Sequence, residues 1–199
     1  MVIAYHLIFT AYGWWLPNDP RGSRSREIRS DIIAELGELH HGRKRIQPPG
    51  PEIRAFYEQA RRLLKHELRT FDESTRAIIA CGFAQVIRDR QYTCYACAIM
   101  PDHVHILIRK HRDKAEHMIA NLQETSRAHL IEQNVYPSDH PVWGGSVPAA
   151  GWKVFLNTAD DIERTIRHIE RNLIPYGLPA QSHDFVTVYD GWDLSRAAR

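Results

Sequence analysis

The sequence predicts an α+β fold built on one antiparallel sheet, and three observations predict it. Four short apolar stretches, at residues 3–12, 91–99, 103–109 and 152–156, have the length and patterning of strands. The middle two are separated only by the turn signal Pro101-Asp102, so they pair as a hairpin. Three longer segments, near 75–90, 113–133 and 158–172, carry apolar residues at helical spacing.

The 199 residues suffice for one domain with a real core, and apolar and charged contents of 43% and 25% do not indicate disorder. We expect a single domain over 1–199 with a basic insertion at about 17–70. No apolar run approaches a membrane span, and the N-terminus lacks a signal peptide's basic head and cleavage site, so a cytoplasmic protein is expected. Three cysteines without a secretion signal argue for free thiols. Cys94 and Cys97 form a lone C-x-x-C on a strand, where odd spacing puts the thiols on opposite faces and argues against a zinc knuckle.

Taken in order, the first strand alternates Tyr5, Leu7 and Phe9 with His6, Ile8 and Thr10. His6 has two readings: a satisfied structural histidine, which is the commoner case, or a polar group of the first strand lying beside the active face. A turn-rich loop follows, with Trp14, Trp15 and Arg21; aromatic residues followed by arginines can stack bases and hold phosphates, and one of the two tryptophans is expected to be core. The cluster Arg43-Lys44-Arg45 precedes Pro48-Pro49-Gly50-Pro51. Pro51-Glu52 then opens a helix expected to reach Arg69, with Ile53, Phe56, Tyr57, Ala60, Leu63, Leu64 and Leu68 at helical spacing. From Arg21 to Arg69 twelve Lys/Arg face seven Asp/Glu, a surplus of five in a chain whose net charge is +2. That suits a polyanion partner or a solvated helical face, and charge alone does not choose.

Ser74 is the expected N-cap of the helix over 75–90, and Asp113 with Glu116 reads as a capping box for the helix to Gln133. Residues 134–150 are rich in Pro and Gly and read as a mobile loop. After the strand at 152–156, Asn157 or Thr158 caps a helix running to about Asn172, ended by Pro175 and Gly177. The order β, insertion, α, β, β, α, β, α gives a ferredoxin-like βαββαβ sandwich: an antiparallel sheet with helices on one face, plus inserted and C-terminal helices.

The chemistry concentrates in Met100-Pro101-Asp102-His103-Val104-His105-Ile106-Leu107-Ile108. Residues two apart on a strand share a face, so His103 and His105 stand side by side while Val104 packs behind them. Two such imidazoles make half of a divalent-metal site, or two polar residues on a solvated face.

This string resembles the HUH motif, histidine–hydrophobic–histidine, of single-tyrosine transposases that act on single-stranded DNA, and is closest to the REP-associated pattern M-P-[DN]-H-[VF]-H. A second segment carries the resemblance further. Where that group has Tyr-Ile-x-x-Asn-Pro-x-x-x-Gly-Leu, this chain reads His168-Ile169-Glu170-Arg171-Asn172-Leu173-Ile174-Pro175-Tyr176-Gly177-Leu178. Ile169, Asn172, Gly177 and Leu178 fall in register, which puts His168 at the position of the nucleophilic tyrosine and Asn172 at that of the third metal ligand. Tyr176, eight residues on and past Pro175, is not expected to replace the nucleophile.

The resemblance implies a metal site of His103, His105 and Asn172 holding Mg²⁺ or Mn²⁺. It implies catalytic roles at His103, His105 and position 168, a single-stranded or hairpin DNA partner, a homodimer, and transesterification through a 5′-phosphotyrosine. In the segment 122–127, where the family's helix carries a lysine- and serine-containing stretch, Gln123 stands in place of the lysine, which weakens one expected phosphate contact, and Arg127 is a DNA-binding candidate. With histidine at 168, three readings stay open: a transposase-like protein with impaired cleavage, a non-catalytic DNA-binding descendant of one, and a metal-dependent phosphodiesterase acting on nucleotides.

Overall fold

The computed structural model describes residues 1–23, 25–145 and 151–192. Four strands form one antiparallel sheet: β1 (Ala4–Thr10), β2 (Cys94–Ile99), β3 (His103–Arg109) and β4 (Trp152–Leu156), in the order β2-β3-β1-β4. The helices are α1 (Asp31–Ala34), α2 (Gly50–Leu63), α3 (Glu73–Arg90), α4 (Ala115–Glu132) and α5 (Ala159–Arg171), followed by a 3₁₀ turn at Ile174–Tyr176. The chain divides into two compact units, one made of Met1–Ala11 and Thr70–Arg199, the other of Tyr12–Arg69. Among the described residues, no helix is long and apolar enough to cross a membrane.

In the first unit β2 and β3 are buried along almost their whole length, which is why both read as continuous apolar runs. Phe9 meets Phe83 of α3 edge-on at 6.0 Å, and Phe9 with Ile119 of α4 flanks Gly151, so α3 and α4 share one face. The other face carries Ala4, Ala96, Ala98 and Leu107, and α5 buries Ile162 and Ile169 against it. The tail beyond α5 returns along the outer edge of β2. The Gln181 amide accepts from the Ile99 N–H (2.9 Å) and donates to its carbonyl (2.8 Å), and the Thr187 N–H donates to the Cys94 carbonyl (2.8 Å). An edge strand's unpaired backbone is thereby satisfied.

Several local expectations are corrected. Asp72, not Ser74, caps α3: its carboxylate accepts from the Thr75 N–H at 2.7 Å, and the Ser74 hydroxyl donates to that same carboxylate. Asp113 does not cap α4, whose N-cap is Lys114 with no side-chain bond; Asp113 accepts instead from the Tyr92 hydroxyl at 2.7 Å. Burial and that carboxylate push the Tyr92 phenol up to about 12. The mobile loop expected over 134–150 is pinned in its described part. Trp143 is buried, its indole N–H donating to the Gln123 carbonyl (3.0 Å) and the Ser126 hydroxyl (3.2 Å), and it pairs with Ala11. Residues 146–150 of that loop lie outside the described residues. Thr158, one of two expected caps, holds the start of α5.

In the second unit, Tyr57, Ala60 and Leu68 form a small core with Trp14, Leu16, Leu36, Ile53, Phe56 and Leu64. The helix expected to reach Arg69 stops at Leu63. Beyond it the backbone turns extended at Leu64, so that Leu64 and Leu68 pack over Gly13, where a Cβ would meet them at 2.6 and 2.8 Å. The Trp14 indole, donating to the Arg69 carbonyl at 2.8 Å, holds that path.

Candidate metal and DNA-processing site

The hairpin between β2 and β3 is held rigid before any site residue is counted. The Met100 N–H donates to the His103 carbonyl, Ala11 N–H to the Asp102 carbonyl and Phe71 N–H to the Pro101 carbonyl, at 2.8, 2.8 and 2.7 Å. From it His103 and His105 project to the α5 side of the sheet, their rings 4.9 Å apart. Both are buried, each about 8% exposed.

Each imidazole is gripped through Nδ1. His103 Nδ1 lies 2.6 Å from Asp102 Oδ1. A carboxylate oxygen only accepts, so this nitrogen carries a proton, and in the neutral ring the lone pair is then on Nε2. His105 Nδ1 lies 2.9 Å from Nε2 of His6, a buried residue of β1. Burial, and then the neighbouring His168, lower the His6 pKa to about 4, and burial followed by the other histidines holds His105 well below the ordinary imidazole range. Both are neutral at physiological pH, as metal ligation requires.

The last turn of α5 brings the second half. The His168 ring stands 5.7 Å from that of His105 and 6.0 Å from that of His6. Asn172, the C-cap residue of α5, sits one turn on with its Nδ2 3.3 Å from His168 Nε2. The four residues singled out from sequence, His103, His105, His168 and Asn172, therefore share one neighbourhood. Among the described residues, no group of three or more His, Cys, Asp or Glu side chains is arranged to hold an ion.

Three further residues join the site: His6, whose two sequence readings the structure decides between, and Asp102 and Tyr176, which did not stand out from sequence. His6 alternates correctly along β1, but only the register, with Ile8 opposite His105 and His6 opposite Leu107, brings it diagonally onto His105. Asp102 looked like turn chemistry alone. Tyr176 lay past a proline, yet the 3₁₀ turn closed by Gly177 at φ +63° swings it back. Its hydroxyl lies 3.3 Å from Asp102 Oδ1 and its ring 6.0 Å from that of His103. A proline following a helix closely, with a glycine two residues later, was the signal for this return.

Of the DNA-contact candidates, Arg127 belongs to this unit. Its guanidinium donates to the carbonyls of His140 (2.9 Å) and Ser138, holding the 138–140 segment. The others belong to the second unit. Arg21 forms a two-pronged ion pair with fully buried Asp19, with 2.7 Å between Nη2 and Oδ2, donates to the Tyr57 hydroxyl, and stacks on Trp15 at 3.8 Å. Trp14 packs on Tyr57 with rings 4.4 Å apart. Arg43, Lys44 and Arg45 are exposed.

A solved structure titled as that of a REP-associated tyrosine transposase bound to a REP hairpin is similar to this chain at 10% identity and a TM-score of 0.45, over 89% of this chain and 70% of that one. No curated protein sequence matches. The family described as "Transposase IS200 like" matches residues 63–172, a span that takes in β2, β3, the two strand histidines and α5 to Asn172. That match covers more than half of the sequence, and the chain belongs to the IS200-like transposase family.

Proposed function

We propose that this protein binds single-stranded or hairpin DNA and cleaves and rejoins it by metal-dependent transesterification, in the cytoplasm and as a homodimer. The observation that carries the reading is the pair His103 and His105 on a rigid hairpin, with His168 and Asn172 brought to the same place by α5. Family membership implies use of a divalent metal. The donor set fits one. His103 Nδ1 is occupied by a carboxylate, which leaves its Nε2 to ligate, and a pair of imidazoles with one amide suits Mg²⁺ or Mn²⁺ with positions left open. His103, His105 and Asn172 would hold the ion, which when bound polarises the scissile phosphate. The rest of this chain's contribution is positioning: burial keeps His6 and His105 neutral, and Asp102 orients His103.

Two readings of the nucleophile are carried. The sequence register gives position 168, where the imidazole of His168 would form a labile phosphoramidate. A specific observation favours Tyr176: its hydroxyl can pass its proton to Asp102, 3.3 Å away. On this reading the phenolic oxygen forms a bond to phosphorus while the bond from phosphorus to the 3′-oxygen breaks, and that oxygen leaves as a hydroxyl after taking a proton from solvent. The DNA contacts proposed are Arg43, Lys44 and Arg45, with Trp14, Trp15, Arg21 and Arg127 secondary because each also makes contacts within its own unit.

The test is denaturing electrophoresis of the protein with end-labelled single-stranded hairpin DNA and Mn²⁺. An acid-stable adduct in the parent that Tyr176→Phe abolishes assigns Tyr176. No adduct in the parent, but one in His168→Tyr, assigns position 168. Hairpin binding with no adduct in any variant replaces the enzyme with a non-catalytic DNA-binding protein. Turnover of mononucleotide diesters without hairpin binding would replace both with a phosphodiesterase.

A further inference from the structure

His6 belongs to neither conspicuous motif and lies outside the matched family segment, 97 residues before His103 in the chain. Yet its side chain is 6% exposed and its Nε2 is 2.9 Å from His105 Nδ1. Two nitrogens at that distance need one proton between them, one ring donating and the other accepting. The two possibilities have opposite consequences. If His6 donates, His105 carries its proton on Nε2 and presents an N–H to the site. If His105 donates, its Nε2 presents a lone pair. The neighbouring strand histidine supplies the pattern: His103 donates from Nδ1 to Asp102, which in the neutral ring puts the lone pair on Nε2.

We propose that His6 is a positioning residue that accepts the Nδ1–H of His105 and so fixes the tautomer whose Nε2 is the ligating atom. This rests on the metal-site reading of His103 and His105. Two different groups then do one job: a carboxylate from the turn for His103, and a neutral imidazole from β1 for His105. A neutral acceptor is the compatible one at this depth, since a second carboxylate would be a further buried charge. Ligating histidines as a rule have their other ring nitrogen held in this way, and loss of the holder costs roughly 10- to 100-fold in metal affinity.

The tautomer is read directly by long-range ¹⁵N–¹H correlation spectra of the metal-free, full-length protein, with His105→Ala to assign the ring. The expected result is a protonated Nδ1 and an unprotonated Nε2 on His105. A protonated Nε2 overturns the inference, whatever the metal does. Calorimetric titration with Mn²⁺, hairpin DNA present, supplies the second arm. His6→Leu should weaken binding by about 10-fold or more. His6→Gln, whose Oε1 can still accept, should stay within roughly threefold of the parent, which a packing role alone would not produce. If folded His6→Leu binds as the parent does while His105→Ala does not bind, this inference fails and the metal site stands. If His105→Ala also binds as the parent does, both fail. Should His6→Leu not fold, the parent spectrum and His6→Gln still decide.

Discussion

Substituting Gly82 tests the packing that supports the site from behind the sheet. Gly82 lies buried in the middle of α3, where α4 crosses it. A Cβ there would sit 2.6 Å from Ser126 Cα and 3.0 Å from Ser126 N, against the 3.4–4 Å of ordinary contact, so the two helices must part by close to 1 Å. The obstacle is backbone and cannot swing aside. Overpacking of this kind costs about 1–3 kcal/mol, and the better helix propensity of alanine returns up to about 1 kcal/mol. With backbone as the obstacle the steric cost lies in the upper part of that range, so Gly82→Ala should lose about 1–2 kcal/mol net, a Tm lower by roughly 2–8 °C for a protein of this size. The same shift moves Ser126, whose hydroxyl accepts from the Trp143 indole at 3.2 Å, so tryptophan fluorescence should change along with the melt. Cys81→Ala, one residue earlier and exposed, is the control and should stay within about 0.5 kcal/mol. An unchanged or higher Tm in Gly82→Ala would refute the account of the α3–α4 crossing.

Further outcomes follow from the same structure. His6 has its pKa lowered to about 4, so below about pH 6.5 the unfolded chain takes up a proton that the folded protein refuses. Stability is full at neutral pH and falls as pH drops through that window. From pH 7 to pH 5 the parent should lose about 2 kcal/mol more than His6→Gln in paired thermal melts, and equal losses would contradict the burial of a neutral imidazole. Asp19 is fully buried between Arg21 and Tyr57, so Asp19→Ala strands a guanidinium and should destabilise the Tyr12–Arg69 unit by about 3–5 kcal/mol, read as faster proteolysis within those residues. Replacing Arg43, Lys44 and Arg45 together by alanine should flatten the salt dependence of hairpin binding by roughly 0.9 for each phosphate the cluster neutralises, and an unchanged slope removes the cluster from the interface.

The parts of this molecule legible in its sequence are those whose signal is local. Strand β3 announces itself because Val104, Ile106, Leu107 and Ile108 are all buried, and the turn before it because Pro101-Asp102 has turn chemistry whatever surrounds it. Helix ends were less legible for a physical reason: Asp72, Ser74 and Asp113 are all good caps, and tertiary partners decide among them. Tyr92 draws Asp113 away from α4, and Asp72 uses Ser74 as an additional donor. The end of α2 at Leu63 depends in the same way on where Gly13 and Trp14 sit, which no helical periodicity records.

The site divides along the same line, and the division bears on how its chemistry is set. His103 and His105 are two apart, and His168 and Asn172 are four apart, so strand and helix geometry alone place each pair on one face. His6 and Tyr176 join them through quantities no spacing contains, namely the β1–β3 register and the sense of a 3₁₀ turn. On the proposed reading these two make the contacts that tune the site. A slip of one residue in the β1–β3 register would carry His6 to the opposite face and leave His105 Nδ1 facing Leu7 or Tyr5 rather than an acceptor. Likewise an alanine at Gly177 would strain the left-handed turn by about 1 kcal/mol and loosen the placement of the Tyr176 hydroxyl against Asp102. The legible residues are thus those that would touch metal and phosphate. What tunes them, a lone pair on one imidazole and a proton acceptor beside one phenol, is assembled by the fold from residues that carry no motif of their own.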